Sequence, residues 1–323
     1  MVTRVHVWGA SGYAGAEAIR LLHAHPLLEL GVLESHSHAG ERVSEHFPRL
    51  RATPYRFGES GSTLAAATDA DVAIVAGSED HAEAIVPALL ERRVRVVDLS
   101  SRYRLDESAV YGLSEWFGEA VAEAQLVANP GCYPTAALLA LLPLAQVASP
   151  RHVVIDAKSG ITGAGRTPHV DSLFAEVSGD VRAYGLKGHR HYPEIQRFLH
   201  AGGIEASLTF TPHVVPIARG MLVNAYAVCD VAVSADKVAA AYDRAYARAP
   251  FVRMLWGNRA PSVAAVVGTN DAEIRVDVEG PVVRILCAID NLGKGAAGQA
   301  IQNVNLMLGL PQESGLDARA IVA

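Results

Sequence analysis

Cysteine is scarce in this chain, with three among 323 residues: Cys132, Cys229 and Cys287. An odd number without close spacing builds neither a disulfide framework nor a cysteine-based zinc site, and it suits a reducing cytoplasm. Aromatic residues reach only 6%, and no apolar run attains the roughly 18 residues of a membrane-spanning helix. Blocks of like charge are missing as well. Lys and Arg number 28 against 34 Asp and Glu, so nucleic acid and anionic membranes are not expected partners. No repeat and no low-complexity linker interrupts the chain. The first strand pattern begins within a few residues of the start, so no signal peptide is expected. What is present is half apolar and 19% charged, the composition of a globular enzyme long enough for two domains.

The N-terminal part alternates strand and helix patterns. Residues 4–8 read as a strand, Gly9-Ala10-Ser11-Gly12-Tyr13-Ala14-Gly15 follows, and Ala18, Ile19, Leu21 and Leu22 recur at helical spacing. Residues 28–33 close a βαβ unit, the setting in which a glycine loop binds a dinucleotide pyrophosphate at a helix N-terminus. The spacing is G-x-x-G-x-x-G. Glu34 stands where an acid would take a ribose 2′-hydroxyl and favour NAD, whereas Ser35, His36, Ser37, His38 and Arg42 are groups that would hold a 2′-phosphate. His36, His38 and His46 lack an acidic or cysteine partner at ligand spacing, so a solvated loop and no metal are expected. Strands over 72–76 and 95–99 flank a helix over 80–93, which continues a parallel doubly wound sheet. From residue 153 the rhythm changes to long alternating runs (153–157, 207–210, 221–228, 273–278, 282–289), the pattern of a mostly antiparallel sheet in a second, α+β domain. Residues 298–308 read as a helix returning to the first domain.

The stretch Ala128-Asn129-Pro130-Gly131-Cys132-Tyr133-Pro134-Thr135 places a thiol between a strand and a helix-compatible run, 136–142. Backbone N–H groups and the helix dipole at such a junction lower a thiol pKa and hold an anion; a buried structural cysteine is the alternative. Ser159-Gly160-Ile161-Thr162-Gly163-Ala164-Gly165-Arg166 offers N–H donors and a guanidinium to an oxyanion, or forms a plain loop. Gly188-His189-Arg190-His191-Tyr192-Pro193-Glu194-Ile195 puts two imidazoles at a helix start; one of them serves as a base to the thiol, or the segment is a surface cap. His213 and Arg219 lie in a proline-bounded stretch that lines an anionic pocket or forms a sheet edge. Asp290-Asn291-Leu292-Gly293-Lys294-Gly295 precedes a helix and suits close approach to a cofactor or tight packing.

The glycine loop at 9–15 and the stretches 128–135, 159–166, 188–195 and 290–305, in this order and over nearly the whole chain, resemble the N-acetyl-gamma-glutamyl-phosphate reductase family of the aspartate-semialdehyde dehydrogenase superfamily. The resemblance implies an α/β, Rossmann-like NADP domain (1–131 and 299–323) and an α+β catalytic and oligomerisation domain with a mostly antiparallel sheet (132–298). It implies reduction of an acyl phosphate to a semialdehyde in arginine biosynthesis, in the cytoplasm, by a homo-oligomer (dimer or tetramer). Cys132 is the implied nucleophile, and His191, in preference to His189, the base. Gly9, Ser11, Gly12, Tyr13, Ala14, Gly15, Ser35, Ser37, Gly163, Ala164, Gly165, Lys294 and Gln302 are the implied cofactor contacts. Asn129, Arg104, Ser159, Arg166, Arg190 and Glu194 are the implied substrate contacts. The chain departs from the family at Glu34 and His36, where a non-acidic and a basic residue are usual, so NAD stays open beside NADP. The segment 104–112 is shorter than in most members. The alternative within the resemblance is an aminoadipyl-phosphate reductase of lysine biosynthesis, acting on a substrate on an acidic carrier protein; the acidic net charge tilts the reading to the free acetylglutamyl compound.

Overall fold

The computed structural model describes residues 2–51 and 53–316. It resolves into two compact units. One holds the described residues up to Pro130 and those from Ala296 on; the other runs Gly131–Gly295. The end of the expected returning segment, 317–323, lies outside the described residues.

The first unit is built on β1 (Arg4–Trp8), α1 (Tyr13–His23), β2 (Glu29–Glu34), β3 (Val72–Val75), α2 (Glu79–Glu91), β4 (Arg95–Asp98), β5 (Val110–Tyr111), α3 (Ser114–Glu123) and β6 (Leu126–Ala128). Its sheet is wholly parallel, in the order β2-β1-β3-β4-β6-β5. All four residues of β3 are buried, as expected of a strand covered on both faces, and this explains its continuous Val-Ala-Ile-Val composition. The strand order reverses between β1 and β3, and the glycine loop leaves the carboxyl end of β1 at that point, where open α/β sheets bind ligands. The helix Gly298–Met307 belongs to this unit and is almost entirely buried. Its polar side chains serve the unit's own backbone: Gln299 and Asn303 donate to Gly112 O at 2.8 and 2.9 Å, and Asn303 donates to Asn129 Oδ1 at 3.1 Å.

The second unit begins with α4 (Cys132–Leu141) and continues through β7 (His152–Ser159), β8 (Arg182–Ala183), α5 (His191–Ala201), β9 (Ser207–Val214), β10 (Met221–Val228), α6 (Ala235–Tyr246), β11 (Val252–Met254), β12 (Ala272–Glu279) and β13 (Val282–Ile289). The sheet order is β11-β12-β13-β10-β7-β9-β8, antiparallel except at β11–β12 and β7–β9. In β7 and β10 every second residue is buried, so one face of the central strands carries the core. That core includes α4, whose residues Tyr133 to Leu141 are all buried. The hydroxyl of Tyr242 donates to Ala140 O at 2.5 Å and that of Tyr246 to Leu139 O. They satisfy carbonyls at the helix end, where Pro143 offers no N–H.

The helix starts earlier than the sequence pattern suggests, at Cys132 instead of residue 136. Pro134 occupies its third position, where an N–H has no partner within the helix and proline costs nothing.

Candidate active site

In the second unit a cavity of about 650 Å³ opens beside the first turn of α4. Cys132 is the first helical residue; Gly131 caps the helix with extended backbone, and neither a capping side chain nor an acid stands in the first turn. Gly131 N, just before the helix, donates to Glu194 Oε1 at 2.9 Å. Glu194, buried on α5, thus holds the turn that carries the thiol. Gly295 approaches from the other side: a Cβ on it would lie 2.8 Å from Cys132 Cβ. The small residues of the 290–295 stretch serve this packing within the unit.

His189, Arg190 and His191 line the same cavity, with Ser159, Gly163 and Ala164. The His191 ring is buried, and its backbone N–H donates to His189 Nδ1 at 3.1 Å. That bond places the proton of neutral His189 on Nε2. Burial first, and the Arg190 charge second, push the His189 imidazole down to about 4. Around it the rings of Tyr133, Tyr184, Phe210 and His191 pack edge-on at centroid distances of 4.9 to 5.7 Å. Tyr184 donates to the Tyr133 hydroxyl at 3.2 Å, and burial raises both phenols above their ordinary value. Gly160 makes the turn that brings the 161–164 loop over the cavity. A Cβ there would stand 2.9 Å from both Ile217 O and Ala218 O.

Several residues named from the sequence are not in the lining of this cavity. Arg104, in the first unit, donates to Asn129 O at 2.9 Å and to Leu99 O at 2.8 Å, so its guanidinium is engaged with backbone carbonyls. Asn129 in turn donates to Ala296 O at 3.2 Å. Lys294 is fully buried over the Phe251 ring, 5.8 Å from its centroid. Gln302 is buried with Glu115 and Gln312. Gly165 is exposed with φ +87°, and Arg166 is half-buried outside the cavity lining. Arg219 forms a bidentate pair with the buried Asp290, which also accepts from Gly268 N and Leu292 N; it is a structural bond and not a pocket cation. His213 pairs with Asp156 at 3.1 Å on β9. Conversely, Arg182, Tyr184 and His169 line the cavity without having been singled out. Arg182 and Ala183 form a two-residue strand too short to show periodicity, so no sequence signal marked them.

The glycine loop in the first unit is tight. Gly9 has φ +77°, and a Cβ on Gly15 would meet Gly9 O and Ala10 Cα at 2.7 Å. The N-terminus of α1 has no capping side chain and no acid in its first turn, which suits a pyrophosphate. Ser35 Oγ donates to Ser11 Oγ at 2.8 Å, tying the loop to the end of β2; Ser37 is exposed. Glu34 turns inward. Its carboxylate is 2% exposed and accepts from Trp8 Nε1, from Gly61 N at 2.9 Å and from Thr63 N at 2.9 Å. The histidine loop corrects a second expectation: Glu41 stands between His38 and His46, while His36 pairs with Ser60.

Residues 4–124 match the semialdehyde dehydrogenase NAD binding domain and residues 132–291 the semialdehyde dehydrogenase dimerisation domain. The N-acetyl-gamma-glutamyl-phosphate reductase of Geobacter sp. strain M21 is 41% identical over 97% of this chain and 98% of its own. The proteins of that name from Geotalea daltonii and Moorella thermoacetica are 42% and 39% identical, over 98% and 96% of both chains. The chain belongs to the N-acetyl-gamma-glutamyl-phosphate reductase family. Its fold is that of the aspartate semialdehyde dehydrogenases. Enzyme II from Vibrio cholerae, complexed with ASA, superposes with a TM-score of 0.76 at 17% identity, covering 96% of this chain and 99% of its own. The Candida albicans enzyme with NADP gives 0.70 at 16%, covering 95% and 99%. As a reductase of this family, the chain is an oxidoreductase with a nicotinamide-binding first unit.

Proposed function

We propose that this chain reduces N-acetyl-gamma-glutamyl phosphate to the semialdehyde with release of phosphate, in arginine biosynthesis, using NADPH and Cys132 as nucleophile. The observation that carries the chemistry is the thiol at the first position of a buried helix, in one cavity with His189, His191 and two guanidiniums. The Cys132 thiolate attacks the acyl carbon; a C–S bond forms as the C–O bond to phosphate breaks, leaving a thioester. N–H groups at the helix start stabilise the oxyanion. His191 is our base: it takes the thiol proton and returns a proton to the oxyanion formed on reduction. His189 has Nδ1 engaged by a backbone N–H and its proton on Nε2, so it serves as a donor to oxygen. Arg182 and Arg190 bind phosphate and carboxylate at the cavity wall. The reduced nicotinamide, when bound, supplies the hydride that converts the thioester to a thiohemiacetal. Cleavage of the C–S bond then frees the aldehyde and the thiol.

The first unit fits NADP. The glycine loop leads into a helix whose first turn has no acid and no capping side chain, which suits the pyrophosphate, and Glu34 is committed to the unit's interior, which removes the acid that would repel a 2′-phosphate. The relatives are named for the acetylglutamyl substrate, which favours it over the aminoadipyl alternative. We further place the chain in the cytoplasm as a homo-oligomer through its second unit; among the described residues no helix is long and apolar enough to cross a membrane.

The test is the reverse reaction. N-acetylglutamate semialdehyde and its aminoadipate analogue are offered with phosphate and NADP or NAD, following the reduced cofactor. Activity with the acetylglutamate compound and NADP is expected. A preference for the aminoadipate compound, or for NAD, would overturn the substrate or the cofactor assignment respectively.

A further inference from the structure

We propose that His38, Glu41 and His46 form a binding site for a divalent transition-metal ion of the zinc type, with its remaining coordination open to solvent. The donor atoms of the three side chains all lie within 4.8 Å of one another. Glu41 Oε1 is 3.5 Å from His38 Nδ1, and Glu41 Oε2 is 2.5 Å from His46 Nε2. Two imidazole nitrogens and one carboxylate are a familiar three-ligand set for zinc, with a further position left for water.

The site is built on a frame. Gly40, at φ +80°, turns the chain so that Glu41 points back toward His38. Gly40 N donates to Phe57 O at 2.8 Å, Phe57 N to Glu41 O at 3.0 Å and Val43 N to Tyr55 O at 3.0 Å, which clamps the segment to residues 55–57. The imidazoles face each other at a centroid distance of 3.9 Å and rest on the buried Phe57 ring, 6.3 and 5.7 Å away.

Ligands about 2.0–2.1 Å from one tetrahedral ion stand roughly 3.3 Å apart. The His38–Glu41 separation already matches. The His46–Glu41 contact must open by roughly 1 Å on that same geometry, which the half-exposed Glu41 side chain permits. Arg56, whose guanidinium donates to Gly40 O at 2.7 Å, is a cation that works against the ion and limits its affinity. The ion would stiffen the loop that follows β2, next to Ser35 and its bond to the glycine loop. Nothing in the reductase reaction requires it, so the site stands or falls independently of that reading.

Calorimetric titration of zinc sulfate into the full chain carrying Cys132→Ala, which removes the competing cavity thiol, tests it. One ion per chain is expected, with affinity at least tenfold weaker in His46→Ala and in Glu41→Gln, a change at an exposed side chain that leaves the fold intact by circular dichroism. Absorption bands of cobalt(II) added in place of zinc should disappear in both variants. The absence of saturable binding, or equal affinity in the parent and both variants, overturns the proposal.

Discussion

Glu34 illustrates how a side chain's neighbours decide its role. Its carboxylate holds the Trp8 indole and the N–H groups of Gly61 and Thr63. Glu34→Ala would leave these donors unpaired in a buried place, at about 1–3 kcal/mol. Urea unfolding should register that loss, while NADP affinity, read by fluorescence, should not rise; a gain in NADP affinity would restore the acid as a discriminator. His189 gives a pH signature. Folded, it loses its proton near 4; unfolded, near 6.5. Between those values the unfolded chain binds more protons, so stability falls as pH drops from 6.5 to 4 and is unaffected above that window. His189→Phe should flatten this part of the stability profile. Burial lowers His6 and His25 as well and adds to the slope in the same direction, so the variant reduces the slope without abolishing it. The thiol and both imidazoles of the cavity were legible in the sequence because their motifs are local. The bonds of Arg104 and Lys294 were not legible there: the Arg104 guanidinium donates to two backbone carbonyls far from it in sequence or across a turn, and Lys294 lies buried over the Phe251 ring, contacts that only the folded chain brings together.

Elements carry the next layer. The junction before α4 leads into a helix whose residues Tyr133 to Leu141 are all buried, with Cys132 at its partly exposed start. The 290–295 stretch packs on its first turn through Gly295, and Asp290 anchors that stretch with four hydrogen bonds from Arg219, Gly268 and Leu292. Asp290→Ala strips the buried partner from Arg219 and should cost about 3–5 kcal/mol. Thermal unfolding would show it; an unchanged midpoint would mean the pair is dispensable. Gly160→Ala forces a Cβ against two carbonyl oxygens at 2.9 Å and should cost about 1–3 kcal/mol, with a raised KM because the 161–164 loop lines the cavity. Strand identities were readable from alternation, as at β10 and β13, where the expected and observed ends coincide. The start of α4 was not, because Tyr-Pro-Thr reads as a turn until the proline is seen at a position that needs no donor. The partnership of Glu41 with two histidines was equally hidden, since it depends on the Gly40 turn and the pairing with residues 55–57.

At the scale of the whole molecule, two units of different architecture divide the labour: a parallel sheet whose glycine loop suits a dinucleotide, and a mixed sheet that carries the thiol cavity. The change from strand–helix alternation to long alternating strands made both architectures readable. Sedimentation equilibrium should return a mass of at least two chains, in keeping with the dimerisation-domain match over 132–291; a single-chain mass would refute the oligomer. The central claim is the covalent step at Cys132. The most direct measurement incubates the chain with N-acetyl-gamma-glutamyl phosphate without nicotinamide, quenches in acid and maps the adduct by peptide mass spectrometry. The account predicts one acyl group on Cys132, with phosphate released in equal amount. Cys132→Ala should form no adduct and lose activity roughly a thousandfold or more while binding NADPH as before. Acylation at another residue, or aldehyde formation by Cys132→Ala at a rate near the parent's, would contradict it.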